Sequence, residues 1–150
     1  MKNTDLQDNI TWLLLRATMS AKQHLVKVSE SYDLTFMQAY TLCLLKPGET
    51  VAMSLISDLL GCDPSNVTGI VERLQLGAYI ERRECRTDRR VKTINLTGTG
   101  IKLRHELMHK IIENETSYVS SLSQNEIETL RKILLKTLPT PNTQKHYPNA

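Results

Sequence analysis

Residues 61–97 of the 150-residue chain read GCDPSNVTGIVERLQLGAYIERRECRTDRRVKTINLT. The first four residues of this stretch are a Gly suited to the end of one helix, a Cys, an Asp suited to the cap of the next helix and a Pro suited to its first turn. Apolar residues at helical spacing predict helices over residues 52–60 and 64–76, on either side of this turn. Two short helices joined by a tight Gly-containing turn are typical of a helix-turn-helix, whose second helix enters the DNA major groove.

The residues after the second helix predict a β-hairpin. Gly77 ends the helix, residues 79–85 and 91–96 have the composition of strands, and the polar residues 86–90 join them. Between residues 79 and 104 there are eight basic and three acidic residues, a local charge of +5, so the rest of the chain carries −2 within the total of +3. A basic hairpin directly after a helix-turn-helix is a wing, and its charge predicts contact with a polyanion.

Length and composition exclude several other classes of protein. A chain of 150 residues, 40% apolar and 23% charged, predicts one domain with its own core. Its longest uninterrupted apolar runs, such as residues 12–15, have four residues, far fewer than the roughly 20 that span a membrane, and no signal-like segment begins the chain. Three widely spaced cysteines fit neither a disulfide framework nor a CxxC metal site. We therefore expect a cytoplasmic protein without membrane contact.

The flanking segments predict further helices. Apolar residues three and four apart predict a long helix over residues 5–30, and Thr35 can cap a second helix that runs to residue 45. Thr97 can cap a helix to about residue 122, and Ser123 with Glu126 resembles a capping box that opens a last helix to residue 138. Residues 139–150, with three prolines, predict a flexible tail.

The helices at both ends carry wide apolar surfaces, more than one short neighbouring domain is expected to cover. Pairing with a second chain would bury them, and a two-fold dimer would set two recognition helices about 34 to 36 Å apart. The alternative is an intramolecular bundle.

Residues 34–100 carry a family pattern. Its most distinctive parts are Asp88-Arg89-Arg90 in the wing and Leu96-Thr97-Gly98-Thr99-Gly100 at the start of the next helix. Matching residues also include Leu34-Thr35-Phe36-Met37-Gln38, Ser57-Asp58-Leu59-Leu60-Gly61, Val67-Thr68, Val71-Glu72-Arg73-Leu74, Gly77 and Ile80. In these residues the chain resembles the MarR family of winged-helix transcription regulators.

The resemblance implies a single domain that is mainly α-helical with a small β-hairpin wing. Residues 34–97 would form the winged helix-turn-helix, and residues 5–30 and 98–138 the dimerisation helices. It also implies a homodimer that binds pseudo-palindromic double-stranded DNA, often repressing neighbouring genes until a small-molecule effector or an oxidant weakens binding. We accordingly expect a DNA-binding transcription regulator with no enzymatic activity and no cofactor. A winged helix used only for protein contacts is a further alternative.

The resemblance places Ser65, Asn66 and Thr68 on the early part of the recognition helix, where family members contact bases and phosphates. Asn can bond adenine bidentately, and Ser and Thr can reach a base or a phosphate. Arg73, later on the helix, suits a phosphate contact. Gly69 departs from the family pattern, since many relatives carry a longer side chain there; it allows close approach to DNA or to another helix but removes a base contact.

In the wing, Arg90 matches the arginine that enters the minor groove, and Asp88 matches the acid that braces that arginine. The alternative for this pair is an ordinary surface ion pair. Arg86 and Arg89 are expected to contact phosphates.

Two features indicate other regulation or chemistry. His105-Glu106-Leu107-Met108-His109 has the HExxH spacing of zinc proteases, but the preceding residues already predict a winged helix, so we favour no metal site over a regulatory site using His105 and His109 or a zinc hydrolase. Cys62, near the recognition helix, and Cys85, in the wing, are candidates for oxidant sensing, whereas Cys43 resembles a core residue. Candidate residues for an effector pocket are Trp12, Met19, His24 and Tyr40, each of which is also typical of a core.

Overall fold

The computed structural model describes residues 6–85, 88–113 and 119–138. After a 3-10 turn at Leu6–Asp8, its helices are α1 (Ile10–Glu30), α2 (Phe36–Leu44), α3 (Met53–Leu60), α4 (Pro64–Leu76), α5 (Gly98–Glu113) and α6 (Gln124–Thr137). Its strands are β1 (Val51–Ala52), β2 (Ile80–Glu84) and β3 (Lys92–Leu96). The predicted architecture, mainly α with a helix-turn-helix followed by a β-hairpin, is confirmed.

Two predicted helix starts are confirmed by their hydrogen bonds. The Thr35 hydroxyl accepts the backbone N–H of Gln38, whose side chain accepts the backbone N–H of Thr35. Ser123 and Glu126 form the same reciprocal pair at the start of α6. Each pair satisfies two backbone donors that a helix start otherwise leaves without a partner.

The turn between α3 and α4 follows the predicted plan with one exception. Gly61 ends α3 at φ +60°, a left-handed conformation that favours glycine. Pro64 is the first residue of α4, where its missing N–H removes no helical hydrogen bond. Asp63 has the extended backbone of a cap residue, but its carboxylate makes no capping hydrogen bond. The turn is therefore formed by Gly61 and Pro64, without a side-chain cap from Asp63.

The wing is part of a three-stranded antiparallel sheet in the order β1-β3-β2. Ile94 of the central strand pairs with Val51 on one side and with Arg82 on the other. Strand β1 was not predicted, because two residues are too few to show the alternation that identifies a strand. It connects the wing to the segment that leads into α3.

The core forms where α4 packs on the other helices and on the sheet. Val67, Val71 and Leu74 of α4 are 0% exposed. They belong to one cluster of buried side chains that also includes Leu42, Leu45, Ile56, Ile80, Ile94 and Leu107. Complete burial of a side chain of this size contributes roughly 1.5–3 kcal/mol. The orientation of α4 is thus determined by the core rather than by its own solvent face.

The end of α4 and the start of α5 meet at a contact that we call the Thr97 joint, formed by Ala78, Tyr79, Thr97 and Gly100. The Thr97 hydroxyl donates to the Ala78 carbonyl at 2.6 Å, and the Thr97 backbone N–H donates to the Tyr79 carbonyl at 3.0 Å. The same hydroxyl accepts the Gly100 N–H at 3.0 Å. A Cβ atom on Gly100 would overlap the Tyr79 carbonyl oxygen. Glycine is therefore required for this close approach.

The outer helices α1, α5 and α6 expose large apolar side chains, and α6 has no buried residue. These exposed side chains are Ile10, Trp12, Leu13, Leu14, Leu15, Met19, Ile101, Ile112, Leu130, Ile133, Leu134, Leu135 and Leu138. The described part of α5 ends at Glu113, residue 119 is helical and residues 120–122 form a turn, so helical structure ends shortly before the predicted position near residue 122. Residues 114–118 lie outside the described residues.

The predicted tail at residues 139–150 lies outside the described residues. Within the described ranges, no helix combines the length and the apolar character needed to cross a membrane.

Candidate nucleic-acid interface

Helix α4 has one buried face and one exposed face. Helical spacing places Val67 and Val71 on the side that packs into the core. Ser65, Asn66 and Arg73, three of the residues predicted to contact DNA, are exposed on the other side. An exposed helix face rich in polar groups, held by a buried opposite face, is the geometry needed to enter a major groove.

Thr68, the fourth predicted contact on α4, lies at the side of the helix and is half-buried. Its hydroxyl donates to the carbonyl of Pro64 at 2.9 Å, one turn earlier. The hydroxyl proton is therefore already engaged within the helix. The oxygen remains able to accept a hydrogen bond from a donor outside the chain.

The wing tip places Asp88, Arg89 and Arg90 in solvent. The Asp88 carboxylate accepts the backbone N–H of Arg90 at 2.9 Å. The contact described for Asp88 is thus with the backbone of Arg90, the arginine that it was predicted to brace. Arg86, the remaining predicted contact of the wing, lies outside the described residues.

The described cations of the wing fall into two groups. Arg83 is paired with Glu81 at 2.6 Å, and Lys92 is paired with Glu84. The hydrogen bond from Lys92, together with its charge, lowers the pKa of Glu84. Three other cations have no acidic side-chain partner within the described residues: Arg82, Arg89 and Arg90. Among the described wing cations, these three have a charge that is available to an outside anion.

A cleft of about 440 Å³ separates the start of α4 from the wing. It brings the side of α4 at Thr68 next to Arg82 and Arg90. Its lining consists of Met53, Ser54, Ser57, Asp58, Pro64, Val67, Thr68, Arg82, Arg90, Val91 and Lys92. Arg82 was not selected from the sequence. Strand alternation was the available signal, since Arg82 is half-buried between the exposed Glu81 and Arg83.

A second cleft, of about 480 Å³, lies between the start of α2 and the exposed face of α4. It joins Asn66 and Arg73 of α4, and between them Gly69 lies in its wall. The other lining residues are Thr35, Met37, Gln38, Cys62 and Ile70. Two of the predicted contacts on α4 thus border one continuous depression.

A model of the MarR family matches residues 32–91. This range contains every residue that lines the two clefts except Lys92. The chain is also 29% identical over 112 residues to the HTH-type transcriptional regulator MgrA of Staphylococcus aureus, across 75% of each chain. In its sequence the chain is therefore similar to regulators of the MarR family. The members of this family are DNA-binding transcription regulators, and the match includes α4 and most of the wing.

Solved structures extend the MarR fold over most of the chain. Apo MarR from E. coli matches with a TM-score of 0.77 at 20% identity, covering 87% of this chain and 97% of that one. CouR from Rhodococcus jostii RHA1, bound to p-coumaroyl-CoA, matches with a TM-score of 0.76 at 21% identity, covering 99% of each chain. At these identities the similarity establishes the fold.

The four residues proposed from the sequence for an effector pocket lie on α1 and α2. Trp12 and Met19 are 37% and 50% exposed on α1, and His24 and Tyr40 are half-buried. The Tyr40 ring stacks on Phe36 with centroids 5.7 Å apart. None of the four lines either of the two clefts at α4. The candidate pocket residues and the candidate DNA contacts are therefore separate groups in this chain.

The HExxH residues lie on the outer helix α5. His105 is exposed, and the Nδ1 atom of the exposed His109 lies 3.3 Å from Glu113 Oε1. Among the described residues, no three His, Cys, Asp or Glu side chains are grouped so that they could hold a metal ion.

The three cysteines differ in accessibility. Cys85 is 1% exposed, and Cys62 is half-buried with its thiol 3.5 Å from the Leu60 carbonyl. Cys43 is half-buried next to the core, as predicted. Burial raises the pKa of the Cys43 thiol, and the charge of Arg104 opposes that rise only in part. Of the two cysteines considered for oxidant sensing, Cys62 is the more accessible.

Proposed function

We propose that this MarR-family protein is a homodimeric repressor that binds pseudo-palindromic operator DNA and releases it when a small-molecule effector binds. The observation that carries the proposal is the exposed polar face of α4 beside the two wing-tip cations Arg89 and Arg90, which have no acidic partner within the described residues. Base contacts specify sequence and phosphate contacts fix register, and this surface offers groups for both.

Each group has a distinct role in this proposal. Helix α4 enters the major groove, where the Asn66 amide can bond both N6 and N7 of an adenine. Ser65 and the first backbone N–H groups of α4 face a phosphate, because a helix start attracts anions. Thr68 and Arg73 flank these contacts. Arg90 enters the adjacent minor groove, and Arg89 and Arg86 contact phosphates.

The homodimer is supported by the outer helices. On α6 and its C-cap residue, Leu130, Leu134 and Leu138 recur at four-residue steps and are 38%, 37% and 63% exposed. Large apolar side chains on α1 are similarly exposed, and a second copy of the chain would remove both sets from water. A two-fold axis through these helices repeats α4 about one DNA turn away.

An effector site between α1 and α2 completes the proposal. CouR, which shares the fold, is described as bound to p-coumaroyl-CoA, so a MarR-type fold can accommodate an aromatic acyl ligand. In this chain the aromatic and apolar residues Trp12, Met19 and Tyr40, with His24, are the groups proposed to line such a site. Ligand binding there would shift the outer helices relative to α4.

A gel-shift series over 50 to 200 mM salt tests the function. The expected result is nanomolar binding to a palindromic fragment from the promoter next to the gene, with affinity falling steeply as salt rises. Absent or salt-independent binding to every fragment of that region would instead favour a winged helix used for protein contacts. Sedimentation of the free protein checks the dimer in the same buffer.

Release by oxidation at Cys62 is a second candidate, because its half-buried thiol lines the cleft shared with Asn66 and Arg73. Oxidation there would add polar atoms at the base of α4. Peroxide should then weaken operator binding by the wild type and leave Cys62→Ser unaffected. Undiminished binding by the peroxide-treated wild type would count against it.

A further inference from the structure

Gly69, which is half-buried, lies in the middle of the face of α4 that points away from the core. Helical spacing places it opposite Val67 and Val71, the residues that fix the helix in the core. Asn66 lies about one turn before it and Arg73 one turn after, and both are exposed. The face proposed to enter DNA therefore has a gap at its centre, bordered by two longer side chains, which we call the Gly69 notch.

The packing of the chain does not explain this glycine. A Cβ atom added to Gly69 would have no described atom within 4 Å, and the backbone there is ordinary right-handed helix. By contrast, Gly100 is required by the Tyr79 carbonyl. A helical glycine destabilises a helix relative to alanine, because its backbone loses more freedom on folding. Gly69 therefore destabilises α4, and no packing contact among the described residues requires a glycine at this position.

The notch has a defined chemistry. In mid-helix the backbone N–H and C=O groups are already bonded to one another, so glycine presents only C–H to an approaching molecule. Beside it, the half-buried Ile70 adds an apolar surface to the same cleft. The floor of the notch is therefore apolar, and its borders at Asn66 and Arg73 are polar.

The notch matches one feature of a major groove. The thymine C5-methyl is the apolar group that projects from a base edge there, and it normally meets apolar side-chain atoms. With no side chain in the notch, the methyl group can approach the helix backbone itself. Asn66, about one turn away, can bond an adenine edge close to that thymine.

We infer that the Gly69 notch receives the thymine methyl of one A·T pair in each operator half-site, so that Gly69 determines base specificity by closeness of approach. This inference rests on the proposed function. Other groups that could occupy the notch, such as a segment of another protein or a second copy of the chain, are distinguished by the experiments below.

The first experiment compares Gly69→Ala with Gly98→Ala. Gly98 begins α5, and a Cβ atom there also has no described neighbour within 4 Å, so the second variant adds the same methyl group away from α4. Binding is measured by fluorescence anisotropy on the tightest sequence that the wild type selects from random DNA. Gly69→Ala should bind at least about fivefold more weakly, the lower end of the loss for one base-pair contact.

The same variant should fold better than the wild type. Gly69→Ala is expected to raise the melting temperature by about 2 to 4 °C, because alanine favours a helix interior. Gly98→Ala should retain wild-type affinity. A Gly69→Ala protein that binds the selected site as tightly as the wild type overturns the inference. A change in its sedimentation without a change in DNA affinity also overturns it, in favour of a protein occupant.

The second experiment removes the methyl group from the DNA. Deoxyuridine replaces thymine at one symmetric pair of positions at a time in the selected site. At one such pair the wild type should bind more weakly. There the difference in DNA affinity between the wild type and Gly69→Ala should become smaller, because the alanine methyl group no longer collides with a thymine methyl group. If no deoxyuridine position narrows that difference, the inference is wrong. If the wild type selects no sequence at all, the regulator proposal fails first and this inference fails with it.

Discussion

The Oδ1 atom of Asp88 lies 2.9 Å from the backbone nitrogen of Arg90, whose N–H it accepts. An aspartate that accepts the N–H two residues later closes a turn through the side chain. The backbone N–H of Val91 also donates to the Asp88 carbonyl, at 2.9 Å. Asp88 therefore orders the backbone from which the Arg90 side chain projects, and its negative charge is not needed for that role.

Asp88→Asn should therefore bind operator DNA as tightly as the wild type or more tightly. Asparagine retains an oxygen that can accept the same N–H, and it removes a negative charge next to the phosphates. Asp88→Ala should bind more weakly by about 1 kcal/mol, because the turn loses its side-chain hydrogen bond. Anisotropy titrations of both variants provide the measurement. Equal losses in Asn and Ala would show that the charge itself braces the arginine.

Arg90→Ala should weaken specific binding by roughly 1 to 3 kcal/mol without unfolding the protein. Arg83→Ala is the matched control, since its guanidinium is paired with Glu81 at 2.6 Å in the same sheet. The control should have the smaller effect, because Arg83 must leave a carboxylate before it can contact DNA. Gel shifts and circular dichroism test both points. If Arg83→Ala lost more DNA affinity than Arg90→Ala, the distinction between paired and unpaired wing cations would be contradicted.

Ala78→Gly should stabilise the fold. Ala78 has φ +56°, a left-handed conformation that disfavours residues with a Cβ atom by roughly 1–2 kcal/mol. Glycine relieves that strain but loses more backbone entropy on folding, so we expect a net gain of about 1 kcal/mol. Thermal unfolding measures the difference.

The contrasting variant is Gly77→Ala. A Cβ atom there would lie 2.5 Å from Cε2 of Tyr79, so the ring would have to move. We expect Gly77→Ala to lower the melting temperature. If Ala78→Gly and Gly77→Ala changed the melting temperature in the same direction, this description of the end of α4 would be contradicted.

The double variant Leu130→Asp, Leu134→Asp should convert the proposed dimer to monomers. Both side chains lie on one stripe of α6 and are more than a third exposed in the single chain, so the charges would disrupt pairing without entering the core. Sedimentation velocity measures the state. Thr129→Asp, on the opposite side of α6, should remain dimeric. A double variant that still sediments with the wild type would place the dimer contact elsewhere.

Local chemistry predicted much of the fold. The reciprocal hydrogen bonds of Thr35 with Gln38, and of Ser123 with Glu126, act over three residues, so adjacent sequence specifies them. Strand β1 at Val51–Ala52 depends on pairing with Ile94, far along the chain, and two residues carry no period of their own. The left-handed Ala78 was also missed, because a glycine stands one position earlier and looked like a sufficient helix end.

In the candidate site, too, adjacent sequence specifies some features and distant packing specifies others. The exposed positions of Ser65, Asn66 and Arg73 follow from the period of α4. Arg104 was counted with the basic segment, but its guanidinium donates to the Cys43 carbonyl near the end of α2, at 3.5 Å. A cation is favoured there by the helix dipole, so Arg104 stabilises a helix end away from the wing. Whether an arginine faces DNA or another helix depends on packing that a local charge count does not contain.

Helix α5 can transmit a rotation to α4 through the Thr97 joint. Its 16 residues extend about 24 Å at 1.5 Å per residue, and two hydrogen bonds with a glycine contact fasten its first turn to the chain leaving α4. If α5 rotates by about 5° as a rigid body about its far end, the Thr97 joint moves by about 2 Å, and α4 moves with it. Such a shift is comparable to the helix movements that operate allosteric interfaces. In the proposed homodimer, the spacing of the two recognition helices would thus depend on the angle between the two subunits.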